Sequence, residues 1–121
     1  MYINPTPEQQ QQFMAMPETS PLFMINMLKF NEGGQEKYKT YMHAVAPLIK
    51  EVGAKLIWSG KPMMGLIGPE DEMLWDAVLI VRYPNKIALA QLGGHPDYPG
   101  HLRAEALEDS RLIASSQLDF A

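Results

Sequence analysis

Apolar and polar positions fall into a few distinct patterns along this chain. Leu22 to Phe30, reading L-F-M-I-N-M-L-K-F, is apolar at odd and even positions alike, with Pro21 before it and Asn31-Glu32-Gly33-Gly34 after. A run of this kind, with no helical polar face, predicts a strand buried on both sides. Leu74 to Tyr83, L-W-D-A-V-L-I-V-R-Y, has the same character and ends at Pro84, so it predicts a second central strand. Between them, Gly34 to Val52 places Tyr38, Tyr41, Met42, Val45, Leu48, Ile49 and Val52 at three- and four-residue spacing. That spacing predicts an amphipathic helix, bent at Pro47 and ended by Gly53 in a left-handed conformation.

The remaining elements are weaker. Thr6 and Pro7 suit the N-cap and first position of a short helix over Pro7 to Met16, within a loosely docked arm (residues 1–20) that precedes the body (residues 21–121). Ala54 to Gly60 reads as a strand that continues through Pro62 to Met63, Met64, Leu66 and Ile67. Proline cannot donate to a ladder, so this is an edge strand or one with a bulge. Asn85 caps a helix over Lys86 to Leu92, a further helical piece covers Leu102 to Glu108, and Arg111 to Leu118 closes the chain as an alternating strand. The order after the arm is βαββαβ. With right-handed crossovers it gives a ferredoxin-like α+β fold: a four-stranded antiparallel sheet, first and third strands central, helices on one face.

That topology leaves one sheet face without helices, about 480 Å² from strand spacing and rise. This is at the upper end of what a monomer tolerates. Burying three or four of its aliphatic side chains contributes roughly 5 to 10 kcal/mol before association costs, so a homodimer formed through this face is expected.

Composition narrows the partners. In 121 residues, 10 Lys+Arg against 14 Asp+Glu give a net charge of -4, and no basic cluster is present, which argues against nucleic acid and anionic membranes. The longest aliphatic run, Ala77 to Val81, is far too short to span a bilayer. The start of the chain lacks the pattern of a signal peptide, and there is no cysteine, so a cytoplasmic location is expected.

Six short segments in order carry a resemblance: P-T-P-E-Q, M-I-N-M-L-K-F, Y-x-x-Y-x-x-A-V-A-P-L, W-x-G-K-P, W-D-A-V-L-I-V-R-Y-P and L-E-D-S-R-L-I. Together they resemble the domain of unknown function 1330 family, a branch of the dimeric α/β-barrel superfamily. The resemblance implies subunits paired sheet to sheet. It also implies a superfamily of cofactor-free monooxygenases, isomerases, haem-degrading enzymes and proteins without known activity. It supplies neither a substrate nor a catalytic residue set.

Candidate chemistry rests on few residues. Asn26 lies in mid-strand, where an unpaired amide would cost about 1 to 3 kcal/mol, so it should have a partner: a structural hydrogen bond or a ligand. Arg82 closes the third strand and needs an anion if buried, either Glu36, Asp76 or Asp109, or a ligand carboxylate or enolate. If both side chains leave the same sheet face they share one cavity, with Tyr41, Trp58 or His43 at its edge. Tyr41 otherwise belongs to the core, and His43 to the solvated side of its helix. His43, His95 and His101 match no metal-binding spacing, so no metal is expected, and no bound cofactor. Two functions follow: a protein that binds or transforms a small apolar or anionic molecule, or a non-catalytic dimeric structural or interaction module.

Overall fold

The computed structural model describes residues 1–120. The elements run α1 (Pro7–Ala15), β1 (Leu22–Phe30), α2 (Gly34–Glu51), β2 (Lys55–Gly60), β3 (Ala77–Tyr83), α3 (Lys86–Gly93), α4 (Gly100–Ala106) and β4 (Leu107–Ser115). The four strands form one antiparallel sheet in the order β2-β3-β1-β4. The two runs that are apolar on both parities hold the two central places. This is the ferredoxin-like α+β arrangement.

Local chemistry explains the starts. Thr6 and Gln9 form a reciprocal capping box at α1, with Pro7 in its first turn. Gly33 takes a left-handed conformation, φ 70°, to turn the chain from β1 into α2. Asn85 Oδ1 accepts the Ala88 N–H at 2.9 Å and starts α3.

The helices lie on one face of the sheet. Leu22, Met24 and Leu28 of β1 and Leu79, Val81 and Tyr83 of β3 are buried there, against Tyr38, Tyr41, Val45 and Leu48 of α2 and Ala88 and Leu92 of α3. The alternate residues, Phe23, Ile25 and Met27 of β1 and Val78 and Ile80 of β3, face away and are only half-buried. Within one protomer the central strands are therefore covered on one side, not two.

Several boundaries differ from the sequence expectation, among them the start of β3 at Ala77 rather than Leu74. β2 stops at Gly60 rather than Ile67, because β3 begins at Ala77 and leaves residues 63–67 no strand to pair with. The last helix ends at Ala106, where Asn31 collects the end of α4: its N–H donates to the Ala106 carbonyl at 2.9 Å, and Nδ2 to those of Glu105 and Leu107 at 3.1 and 3.0 Å. β4 consequently starts at Leu107, and it stops at Ser115, opposite Phe23, where β1 runs out.

The arm is fastened rather than loosely docked. Arg103, a buried cation, donates to the Ile3 carbonyl at 2.8 Å, and the buried Ser110 hydroxyl donates to the Tyr2 carbonyl at 2.6 Å. The Tyr2 N–H donates to Asp109 at 3.0 Å, and Lys86 Nζ donates to the carbonyls of Met14, at 2.7 Å, and Met16.

Candidate functional site

The helix-free face of the sheet is the largest feature left without a covering. Cross-strand register defines its surface. Phe23 is opposite Arg82, Ile25 opposite Ile80 and Met27 opposite Val78 across β1 and β3. On β2, Lys55 is opposite Arg82 and, past an irregularity at Ile57, Trp58 is opposite Ile80. Ile113 of β4, opposite Ile25, completes the row. Opposed residues in a sheet share a face, so these side chains make one continuous apolar surface with Lys55 and Arg82 at one end. The Trp58 ring lies across Gly60, where a Cβ would fall on its six-membered edge; glycine at position 60 is what lets the indole lie flat. Trp58 is 55% exposed.

At the other end of this face Arg111 is held between two rings. Its guanidinium carbon sits 4.7 Å from the Tyr2 ring centroid and 5.1 Å from that of Trp75, and it pairs with Asp109 at 2.8 Å. The Tyr2 N–H, followed by the Arg111 guanidinium and the Ser110 N–H, holds the Asp109 carboxyl below its usual range. Asp76 accepts the Phe30 N–H at 2.8 Å and pairs with Lys29 at 3.4 Å.

The five residues singled out from sequence do not form one site. Asn26 is opposite Leu79 and Leu112, on the helix side of the sheet, whereas Arg82 is on the open side; the shared cavity is not present. Asn26 is half-buried and its side chain bonds to none of the described residues, but no buried side-chain polar atom among them lacks a partner, so the amide reaches solvent and the partner expected of a buried amide is not required. Arg82 is exposed, and none of the proposed acids pairs with it: Asp76 engages Lys29, Asp109 engages Arg111, and Glu36 lies in α2. Tyr41 is core, its hydroxyl 2.9 Å from that of Tyr98. His43 is exposed on α2. Only Trp58 and Arg82 are brought together, as diagonal neighbours on the open face.

A second polar group lies inside. Tyr38, Tyr41 and Tyr83 lie within electrostatic reach of the Arg103 guanidinium, and the Tyr41 hydroxyl bonds that of Tyr98. Burial pushes the phenols of Tyr38, Tyr41 and Tyr83 well above their usual value, so they stay neutral and serve as packing and hydrogen-bonding groups rather than bases. Two cavities indent the surface. One, about 190 Å³, lies between the arm and β4 and is lined by Phe13, Met16, Leu22, Lys86 and Ala114; the other is an open depression between α2 and α3. None of Asn26, Arg82, Tyr41, Trp58 and His43 lines either. No group of three or more acidic, histidine or cysteine side chains placed to hold a metal occurs among the described residues. No helix among them is long and apolar enough to cross a membrane.

Comparison with solved structures places the chain beside RPA0582, a protein of unknown function from Rhodopseudomonas palustris. The two are 33% identical over 98% of each chain, with a TM-score of 0.86. The chain belongs to the RPA0582 family. The methylated form of RPA0582 gives the same TM-score at 34% identity, over 98% of this chain and 96% of that one. A ferredoxin-like protein of unknown function from Jannaschia sp. CCS1, described as dimeric, is 16% identical over 80% of this chain and 99% of its own, with a TM-score of 0.57, and shares the fold. No family model and no curated protein matches the chain.

Sequence reasoning missed Arg111, Arg103 and Ser110. Asp109 and Arg111, two apart on a strand, are a same-face pair that alternation reveals. Arg103 and Ser110 carried no such signal, because their acceptors are backbone carbonyls at the far end of the chain.

Proposed function

We propose that this protein is a homodimeric ferredoxin-like module of the domain of unknown function 1330 type, with residues 1–20 as an arm on a body of residues 21–121, and that two copies pair through the open sheet face. One observation carries the reading: Phe23, Ile25, Met27, Val78, Ile80, Ile113 and Trp58 form a continuous apolar surface on the sheet face opposite the core, none of them buried among the described residues. The dimeric description of the Jannaschia protein supports it. The scatter of the candidate residues over two faces and a helix favours a dimerisation module over an enzyme.

Sedimentation equilibrium tests the proposal. The parent protein is expected to be a dimer at micromolar concentration, with an interface above roughly 1,200 Å² in total. Ile80→Glu, which puts a charge at the centre of the face, is expected to be a folded monomer; a monomeric parent protein would refute the reading.

Asn26 favours a second reading, a small apolar or anionic ligand on the helix side of the sheet, since its half-buried amide reaches solvent and is engaged by no other side chain among the described residues. A thermal-shift screen of small aromatic acids tests this. Saturable stabilisation that disappears in Asn26→Leu supports it, and stabilisation by none of them counts against it.

A further inference from the structure

The sheet face can be extended. Its flat footprint of roughly 480 Å² is smaller than the roughly 800 Å² of accessible surface per partner that standard interfaces bury, so added surface would strengthen the pair. Further surface is available in residues 61–76, which connect β2 to β3 and contain no strand or helix. Four large apolar side chains in this loop stand in solvent: Met63 is 91% exposed, Met64 68%, Leu66 86% and Ile67 97%. Isolated exposed hydrophobes are ordinary, but four within five residues on one loop are not. Burying them would add roughly 250 to 500 Å², at about 60 to 120 Å² per side chain.

Charge identifies what the loop meets. Directly after the apolar residues come Glu70, Asp71 and Glu72, all exposed and none in an ion pair among the described residues. The open sheet face carries the complementary feature. Lys55 and Arg82 are directly opposed on β2 and β3, both exposed, with no carboxylate among the described residues paired to either. Two like charges opposed on a sheet repel unless an anion is brought to them. The loop leaves the sheet after Gly60, opposite Val78, at the end away from this pair. A two-fold axis lying between two facing sheets and across their strands reverses one sheet on the other. It thereby brings the loop of one copy to the Lys55–Arg82 end of the second.

We infer that the 61–76 loop of each protomer docks on the open sheet face of a second copy of this chain, with Met63, Met64, Leu66 and Ile67 extending the apolar contact and Glu70, Asp71 and Glu72 paired with Lys55 and Arg82. This rests on the sheet-to-sheet dimer proposed above and adds the element that completes and orients it. Arg82 is then an intersubunit ion-pair residue, which accounts for its lack of a partner within the protomer.

A charge-swap experiment tests it. One variant carries Glu70→Lys, Asp71→Lys and Glu72→Lys; the other carries Lys55→Glu and Arg82→Glu. All five sites are exposed, and circular dichroism checks that both variants fold. At low salt each alone is expected to weaken dimerisation at least about tenfold. Mixing the two is expected to restore parental affinity in a heterodimer, because both loop contacts are then complementary. Restoration on mixing separates a contact between copies from one inside a chain. Leu66→Ser with Ile67→Ser, in a loop that supports no core, is expected to weaken the dimer as well. If the charge variants dimerise like the parent while Ile80→Glu does not, the loop inference fails and the sheet dimer stands. If mixing restores nothing, the inference fails; if the parent is a monomer, both fail.

Discussion

Gly34 is the position where the packing of this fold is most directly testable by one methyl group. It is the first residue of α2 and is buried against the junction of α4 and β4. A Cβ there would overlap the Ala106 carbonyl oxygen and approach Phe30 Cβ at 3.0 Å and the Ala106 carbonyl carbon at 3.3 Å. The obstacle is backbone, so no rotamer change relieves it. Gly34→Ala must move the start of α2 away from the junction or accept the overlap, and overpacking of this kind costs about 1 to 3 kcal/mol. Moving α2 also strains the three hydrogen bonds from Asn31 to the carbonyls of Ala106, Glu105 and Leu107, each worth about 1 kcal/mol. Part of this is offset by alanine's better helix propensity, at most about 1 kcal/mol. The expected net loss is about 3 kcal/mol, or roughly 10 °C in Tm for a domain of this size. Gly93→Ala, at the end of α3, is the control: nothing lies within 4 Å of its Cβ and its φ is not positive, so stability should hold or rise by up to about 1 kcal/mol. Urea and thermal unfolding at matched protein concentration measure both. A Gly34→Ala variant within about 0.5 kcal/mol of the parent would refute the close approach of α2 to this junction.

Two further predictions concern pH. Tyr38, Tyr41 and Tyr83 have folded-state values raised by burial, so their contribution to stability is complete below the unfolded value near 10 and declines as pH rises above it. Phenolate absorbance should therefore show these three ionising only together with loss of circular dichroism; ionisation in the folded protein would contradict their burial. Asp109 has the opposite sign. Its folded value lies below the unfolded one near 3.9, so its contribution is present above about pH 4 and is lost as pH falls through the lower folded value. The stability difference between the parent and Asp109→Asn should be constant from pH 5 to 8 and shrink in acid, and a difference that ignores pH would remove the carboxylate from the arm's anchorage.

The fold was legible because the chain's two runs that are apolar on both parities are its two central strands and the 34–52 helix has an unambiguous inward stripe. The site was not, and the reason is register. β1 and β3 are neighbours in space but not consecutive strands, so no turn fixes how they pair, and a strand apolar on both parities does not say which side the helices take. Asn26 and Arg82 therefore read as companions until pairing set Asn26 against Leu79 and Arg82 against Phe23, an odd offset that sends them to opposite faces. The end of β2 was misread for a related cause: Met63, Met64, Leu66 and Ile67 look like a continuing strand to any pattern of hydrophobicity, yet no ladder is there to receive them. Arm attachment was hidden because Tyr2 and Ile3 take part mainly through backbone atoms, which composition does not distinguish.

Fastening the arm to the far end of the chain orders events during synthesis. Tyr2 waits for Asp109 and Ser110, and Ile3 for Arg103, separations of 107, 108 and 100 residues. At about 5 to 20 residues per second, Tyr2 and Ile3 spend several seconds or more without the groups that hold them. The central strand β1 waits as well, since β4 is the last element to arrive. Long-range closures of this kind slow folding. A nascent chain stalled before residue 103 thus has Tyr2 and Ile3 unfastened and the β4 edge of the apolar strand β1 unpaired, which makes this stage of translation more open to aggregation than the finished protein.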